Sequence, residues 1–178
     1  MGTAYDSAPE TNKHRDFVRM LMYNIAKDIM ERADHHDDSK LLPPEKELFD
    51  EYTQKLKGCT YGSDEYNEFL KGLKEALNHH YAENRHHPEH FANGVDGMNL
   101  VDMIELICDW FAATMRHDDG NIDKSLEINK GRFHMDDQTV AFLKNTVDTY
   151  FRGFKHEDYA ERKAHGFSRG MMKMVENS

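Results

Sequence analysis

The chain has few cysteines, few prolines and no long hydrophobic run. Its two cysteines, Cys59 and Cys108, are too few and too far apart to form a disulfide framework, so a reducing compartment is expected. Cys108 lies within an apolar run, which predicts a buried thiol. No stretch approaches the roughly 18 consecutive apolar residues of a membrane span, and the beginning of the chain lacks the apolar segment of a signal peptide. We therefore expect a cytoplasmic protein that does not bind membranes.

Positive charge is also scarce. Lys and Arg together number 23 against 33 Asp and Glu, which gives a formal net charge of −10. Stable binding to duplex nucleic acid depends on basic side chains that neutralise phosphates, so we do not expect it here, although small nucleotides stay open as substrates. What the chain has in abundance is histidine. Seven of its 12 histidines lie at positions 35, 36, 79, 80, 86, 87 and 90.

The spacing of apolar residues favours helices throughout. Phe17, Leu21, Ile25 and Ile29 recur at intervals of four and would form the inner face of a helix from about Asn12 to Arg32. Strands with alternating apolar and polar residues are not predicted anywhere. We therefore predict an all-α protein, a compact helical bundle.

The chain is most simply one domain, because 178 residues suffice to bury a substantial core. Residues 1–11 lack periodicity and are predicted to be a flexible leader. The helical domain is expected to span residues 12–154, and residues 155–178 to form a C-terminal helical tail or lid. Pro43-Pro44 predicts a break before a helix that begins near Glu45.

The block His36-Asp37-Asp38-Ser39-Lys40 follows the first predicted helix and combines metal-binding side chains with a cation. His36 and Asp37 offer an imidazole nitrogen and a carboxylate oxygen, and both bind divalent metals near neutral pH. The neighbouring His35 and Asp38 are expected to be solvated. Because a useful site needs about four to six donors, other ligands must come from elsewhere in the chain.

The helix before this block and a helix after it each supply candidate ligands. His14 precedes the first apolar stripe by one turn and is a candidate ligand, although a lone histidine there is more often a surface residue. Of His79 and His80, the second is favoured, because it continues the face formed by Leu73 and Leu77. The other histidine of the pair is expected to be a solvated neighbour.

A histidine-bearing loop follows, since Pro88 disfavours the helical conformation at His87. One or two of His86, His87 and His90 are expected to bind metal. A second His-Asp pair, His117-Asp118, precedes a glycine and is interpreted as a solvated loop.

The stretch from about Leu100 to His117 is apolar nearly all round and predicts a central helix. Asp102, Glu105 and Asp109 lie along one side of this helix, at spacings of three, four and seven. A buried carboxylate costs several kcal/mol unless a cation or hydrogen-bond donors compensate. Asp109, between a cysteine and a tryptophan, is predicted to need such a partner most.

The order of these candidates resembles the HD superfamily of metal-dependent phosphohydrolases. His36-Asp37-Asp38-Ser39-Lys40 looks like the HDxGK form of that motif, with Ser39 in place of glycine. More closely, the HDxSK, NxHHPxH and CDW motifs resemble a small, uncharacterised family of phage and bacterial proteins related to HD domains. The resemblance covers roughly Asn12 to Phe151, and it implies a helical fold and hydrolysis of a phosphate ester or anhydride.

The resemblance also implies roles for the individual residues. A first divalent ion would be held by His14, His36, Asp37 and Asp109, and a second ion by His80, His86 and His87, with Asp37 able to bridge. Lys40 would face the phosphate of a small substrate, most simply a nucleotide, with Arg85 and Arg132 as weaker candidates. A phage protein of this kind would act in the host cytoplasm.

The chemistry of these residue types is coherent without the resemblance. Mixed histidine and carboxylate ligation suits manganese, iron, cobalt or zinc better than magnesium, which stays open. A metal-activated water could attack a phosphoryl group. Asp37 would hold the ion, Lys40 could stabilise the nonbridging oxygens or the leaving group, and Glu105 would orient a ligand or a water.

Two other classes of protein are considered. A di-iron carboxylate bundle would need two Glu-x-x-His motifs, and only Glu83-Asn84-Arg85-His86 supplies one, directly before a loop. The stronger alternative is a noncatalytic, phage-type interaction protein whose metal is structural or whose acidic surface binds a host factor. A homo-oligomer is compatible with either function.

Overall fold

The computed structural model describes residues 5–57, 64–115 and 120–154. Within these ranges the chain forms six α-helices and no strand, which confirms the all-α prediction. The helices are α1 (Ala8–His35), α2 (Glu45–Lys57), α3 (Asp64–Glu83), α4 (Leu100–Thr114), α5 (Ile122–Phe133) and α6 (Asp137–Tyr150). None of the helices in the described ranges is long and apolar enough to cross a membrane.

Three short 3-10 helices connect the first four α-helices, at Asp38–Leu41, Pro88–His90 and Gly94–Gly97. The chain divides into two compact units, Met1–Glu105 and Leu106–Ser178. The predicted tail, residues 155–178, lies outside the described residues, as do the predicted loop at His117-Asp118 and the residues around Cys59.

Helix α1 begins at Ala8, so the last residues of the predicted leader belong to it. Pro9 is compatible with this start, because the first turn of a helix has no use for its missing N–H. The predicted inner face is not buried: Phe17, Leu21 and Ile25 are 60%, 48% and 43% exposed, and no residue of α1 is buried. The expectation of a buried stripe is therefore wrong here, since periodicity identifies a face that suits burial but not a surface that covers it.

Helix α2 begins at Glu45, directly after Pro44, as predicted. It packs against α3 and against the first 3-10 helix. Gly72 allows the close approach of the two long helices, because a Cβ at this position would lie only 2.2 Å from the ring of Tyr52. Leu73 and Ala76 of α3 are buried.

Helix α4 begins as predicted at the cap formed by Asn99, whose Oδ1 accepts hydrogen bonds from the amides of Val101 and Asp102. Its residues Leu106 and Ile107 are fully buried. The helix is not buried all round, however, and Cys108 is exposed, so the prediction of a buried thiol is wrong. An apolar neighbourhood in sequence surrounds the helix axis on every side and does not say which side faces solvent.

In the second unit, α5 packs against α6. Asp136 caps α6 by accepting a hydrogen bond from the amide of Thr139. Asn121 caps α5 by accepting a hydrogen bond from the amide of Lys124. The buried residues of this unit include Ile122, Leu126, Met135, Leu143 and Val147.

Candidate metal centre

The segment after α1 turns the Asp37 carboxylate towards the interior of the first unit. Asp37 has φ 61° and ψ 16°, in the left-handed region that non-glycine residues rarely adopt and that Asp and Asn tolerate best. The 3-10 helix that follows brings Lys40 back over the turn, and its Nζ lies 2.7 Å from Asp37 Oδ2. One carboxylate oxygen is thereby paired with a cation, and Oδ1 points elsewhere.

Three imidazole rings gather around Asp37 Oδ1. His80 lies in the last turn of α3 and is almost completely buried, and its Nε2 is 3.3 Å from that oxygen. His86, also buried, approaches the same oxygen with its Nε2 at 3.5 Å. His87 Nε2 lies 2.9 Å from His80 Nε2. Donor atoms of all four residues lie within 4.8 Å of one another, so this group could hold a metal ion.

Two buried atoms of this group have no hydrogen-bond partner among the described residues, namely Asp37 Oδ1 and His86 Nε2. A buried polar atom without a partner costs free energy, and such atoms mark places where an ion or water compensates. Ligand bonds of about 2.0–2.1 Å in tetrahedral geometry place donor atoms roughly 3.4 Å apart, close to the separations observed here. The donor set therefore fits a divalent cation bound by nitrogen and oxygen.

Glu105, on α4, orients the histidines from behind. Its Oε1 lies 2.9 Å from Nδ1 of His36 and 3.0 Å from Nδ1 of His86. When His86 donates its Nδ1 hydrogen to this carboxylate, the lone pair of Nε2 is left to face Asp37. His36, His86 and Glu105 form a second group with donor atoms within 4.8 Å, although the observed contacts are those of a carboxylate that accepts from two rings.

The electrostatics of the site favour anionic carboxylates. Burial opposes ionisation of Glu105, but the neighbouring His36 and His86 outweigh it and lower its pKa to about 2. Burial likewise opposes ionisation of Asp37, and His86 and Lys40 outweigh it, so the pKa of this carboxyl lies well below its usual range. Both groups are thus negative near neutral pH and attract a cation.

The two buried histidines differ in basicity. Burial, with a contribution from the nearby Lys40, lowers the pKa of His80, so this ring is neutral and able to bind metal near pH 7. Burial would also lower the pKa of His86, but contacts with Asp37 and Glu105 outweigh it and raise the pKa. A cation must therefore displace a proton from the His86 ring, which makes metal binding weaker as the pH falls.

A second ionic cluster supports Glu105. Asp102, one turn earlier on α4, is fully buried and accepts a paired set of hydrogen bonds from Arg85, at 3.0 and 2.9 Å. Arg32, from the last turns of α1, donates to the same carboxylate at 2.6 Å and lies 3.6 Å from Glu105 Oε2. The guanidinium groups compensate the buried charge and lower the pKa of Asp102 against the effect of its burial.

The structure brings together most, but not all, of the predicted ligands. Asp37, His80, His86 and His87 converge, and His36 adjoins them, with its Nδ1 at Glu105 and its Nε2 3.6 Å from Asp37 Oδ2. His14 is not brought to this group: it is exposed on α1, and the unbroken helix carries it roughly 30 Å along the axis from the end at which His36 follows.

Several neighbouring candidates have other contacts. His79 lies outside the donor group, and its Nδ1 is 2.7 Å from Glu45 Oε1. His90 donates from Nδ1 to the backbone oxygen of Tyr81 at 3.0 Å. Arg85 is held by Asp102 rather than left to meet a phosphate.

Asp109 is half-buried, one turn after Glu105 on α4, and belongs to the second unit. Its role as a ligand stays a prediction. The expectation that it is the carboxylate most in need of a partner is wrong, because Asp102 is the fully buried one on this helix. Arg132, also in the second unit, lies over the ring of Phe133.

Sequence reasoning missed two contributors to this site, Glu45 and Asn84. Glu45 is fully buried although it stands at the start of a helix, where an acidic residue ordinarily serves the helix dipole at the surface. Asn84 donates to Ser39 Oγ at 2.8 Å. The position of Asn84 four residues after His80, at the point where α3 ends, was the available signal for a side chain near the site.

The chain belongs to a family of unknown function, DUF5662, whose match covers residues 3–149. No curated protein and no solved structure matches it.

Proposed function

We propose that this protein is a metal-dependent phosphohydrolase that hydrolyses a phosphate ester or anhydride of a nucleotide or related small molecule. The observation that carries the proposal is the pair of buried atoms Asp37 Oδ1 and His86 Nε2, which lie 3.5 Å apart and make no hydrogen bond among the described residues, with the rings of His80 and His87 beside them. The resemblance of His36-Asp37-Asp38-Ser39-Lys40 to the HDxGK motif of HD-type phosphohydrolases supplies the reaction class.

Asp37, His80, His86 and His87 would hold the ion, and their mixed donors favour manganese, iron, cobalt or zinc. A divalent cation bound there supplies Lewis acidity towards a phosphoryl oxygen and activates water. The second ion that the resemblance implies is part of the proposal on that ground alone.

The side chains around the donor group would perform the rest of the work. Lys40 is 35% exposed while its Nζ contacts Asp37, so the same ammonium group can meet a substrate phosphate from the solvent side. Glu105 keeps the proton of His86 on Nδ1 and away from the nitrogen that faces the ion. Lys40 would thus act on the substrate, and Glu105 on the metal ligand His86.

The alternative is a noncatalytic protein with a structural metal. It is favoured by one observation: Asp37, His80 and His87 come from three different segments of the first unit, so a shared ion would cross-link them. Such a protein would lose its fold on chelation and would hydrolyse nothing.

Metal analysis and a phosphatase panel test the proposal. We expect the purified full chain to bind about one or two equivalents of divalent metal, to lose phosphohydrolase activity in chelator and to regain it when metal is restored. Asp37→Asn keeps a side chain that tolerates the left-handed backbone, and it should abolish both metal binding and turnover. Asp38→Asn, at an exposed neighbouring carboxylate, is the matched control and should change neither.

Stoichiometric metal without turnover on nucleotides, sugar phosphates and phosphodiesters, combined with unfolding on chelation, would favour the structural alternative. Full activity of Asp37→Asn would overturn the proposed centre.

A further inference from the structure

Glu45 is the most deeply buried carboxylate of α2, with no exposed surface. Burying a carboxylate costs several kcal/mol unless hydrogen-bond donors compensate. Three donors surround this one: His79 Nδ1 at 2.7 Å, His80 Nδ1 at 2.9 Å and Ser39 Oγ at 3.0 Å. Two of them address Oε2 and one addresses Oε1, so both oxygens are engaged.

The hydrogens around His80 Nδ1 can be assigned one by one. Asn84 donates one amide hydrogen to Ser39 Oγ and the other to the backbone oxygen of His80, each at 2.8 Å. The hydroxyl of Ser39 donates its single hydrogen to Glu45. His80 Nδ1 lies 2.9 Å from Glu45 Oε2, and since a carboxylate can only accept, Nδ1 carries the hydrogen of this contact. Asn84 Nδ2 and Ser39 Oγ, which lie 3.0 and 3.2 Å from Nδ1, then direct their hydrogens to the other acceptors.

A neutral imidazole with its proton on Nδ1 has a lone pair on Nε2. In His80 that nitrogen lies 3.3 Å from Asp37 Oδ1 and 2.9 Å from His87 Nε2. The opposite tautomer would point an N–H at the donor group and exclude a cation. Whether His80 can be a ligand therefore depends on which ring nitrogen carries the hydrogen. Glu45, 35 residues away in sequence, holds that hydrogen on Nδ1.

We propose that Glu45 is a positioning residue for the metal centre, which acts through His80 by holding this ring in its metal-binding tautomer and orientation. This inference rests on the proposed metal site. His79 has a different part in it: its contact with Oε1 limits the rotation of the Glu45 carboxylate, whose Oε2 faces His80.

The test compares metal affinity in three versions of the metal-depleted full chain, measured by calorimetric titration with Zn²⁺ and with Mn²⁺. Glu45→Gln should weaken binding by about 10–100-fold, the usual effect of losing a carboxylate that orients a metal-binding histidine. Glu47→Gln removes an exposed carboxylate from the same helix and should leave the affinity within about twofold of the wild type.

A second variant protects the test against a failure of Glu45→Gln to fold. Ser39→Ala leaves the carboxylate in place, but it releases an amide hydrogen of Asn84 that can then reach His80 Nδ1, 3.0 Å away. We expect a severalfold loss of affinity and, in ¹⁵N spectra of the metal-free protein, a shift of the His80 proton from Nδ1 towards Nε2. A purely structural role for Glu45 would lower the thermal midpoint of the metal-free protein without changing this spectrum.

The outcomes separate the two proposals. A wild-type chain that binds neither ion overturns the metal centre itself. If the wild type binds metal and folded Glu45→Gln and Ser39→Ala bind it equally tightly, the metal centre is supported and the role of Glu45 is overturned.

Discussion

The two units of the chain bury different kinds of side chain. Among the described residues of the first unit, four of the buried positions carry titratable groups: Glu45, His80, His86 and Asp102. In the described part of the second unit every buried side chain is apolar. Apolar packing tolerates rearrangement, whereas buried ionisable groups require specific partners at specific distances. The buried side chains of the first unit therefore constrain one another through ionic contacts, whereas those of the second unit are held by apolar packing.

The most destabilising substitution of the first unit is expected at Asp102. Asp102→Ala would remove the fully buried carboxylate to which Arg32, Arg85 and the amide of Asn99 donate, and we expect it to lower the free energy of unfolding by about 3 kcal/mol. Urea denaturation with the metal-free protein measures this loss. Asp96→Ala, at an exposed carboxylate of the same unit, should cost less than about 0.5 kcal/mol.

A matched substitution in the second unit gives the scale. Leu143→Ala removes a fully buried apolar side chain, which typically costs about 2–5 kcal/mol through lost burial and the cavity left behind. If Asp102→Ala lowers the free energy of unfolding by less than Asp96→Ala does, the ionic contacts of Asp102 do not stabilise the first unit.

Within the first unit, Glu105 is expected to affect metal affinity. Glu105→Gln removes the charge that both His36 and His86 contact, so we expect divalent metal to bind about 10–100-fold more weakly, or roughly 1.4–2.7 kcal/mol. Titration of the metal-depleted protein measures the effect, with the exposed Glu83→Gln as control. An unchanged affinity would mean that this carboxylate does not orient the ligands.

The smallest effect is expected at a surface cluster of the second unit. Hydrogen bonds from Arg152 and Lys144 lower the pKa of Asp123 to about 2 from an ordinary value of 3.8. Because the pKa is lowered on folding, the stabilisation is present above about pH 4 and is lost as the pH falls through 2. The side chain is 43% exposed, so solvent screening limits the contribution to under about 1 kcal/mol.

Asp123→Asn should therefore lower stability slightly at pH 7, and the difference should shrink as the pH falls from 4 through 2, as followed by thermal unfolding across that range. Glu127→Gln, an exposed acid on the same helix, is the control. A difference that stays constant between pH 7 and pH 2 would contradict the assignment.

Sequence predicted the local features of the fold better than the depth of its residues. The starts of α2 at Glu45 and of α4 at Leu100 were predictable, because a proline break and the onset of an apolar stretch are local features of the sequence. The exposure of Phe17 and the burial of Asp102 did not follow, since helical periodicity assigns a side of a helix and not the neighbour that covers it.

The candidate site divides in the same way. Asp37 and His80 were identifiable because their residue types and positions are those of metal ligands. Glu45 was not, because an acidic residue after Pro44 has a sufficient local explanation at a helix start, and its contact with His80 spans 35 residues. Partners that arise only from tertiary packing leave no local pattern to detect.

The left-handed backbone of Asp37 sets the folding and the chemistry of this protein against each other. A glycine at this position would adopt φ 61° without strain, and by that measure it would suit the turn better than the residue present. It would also delete the oxygen around which the three imidazoles gather. Screening variants of this chain for thermal stability alone would therefore favour glycine at this position, and only a screen that also demands a bound ion would retain the aspartate.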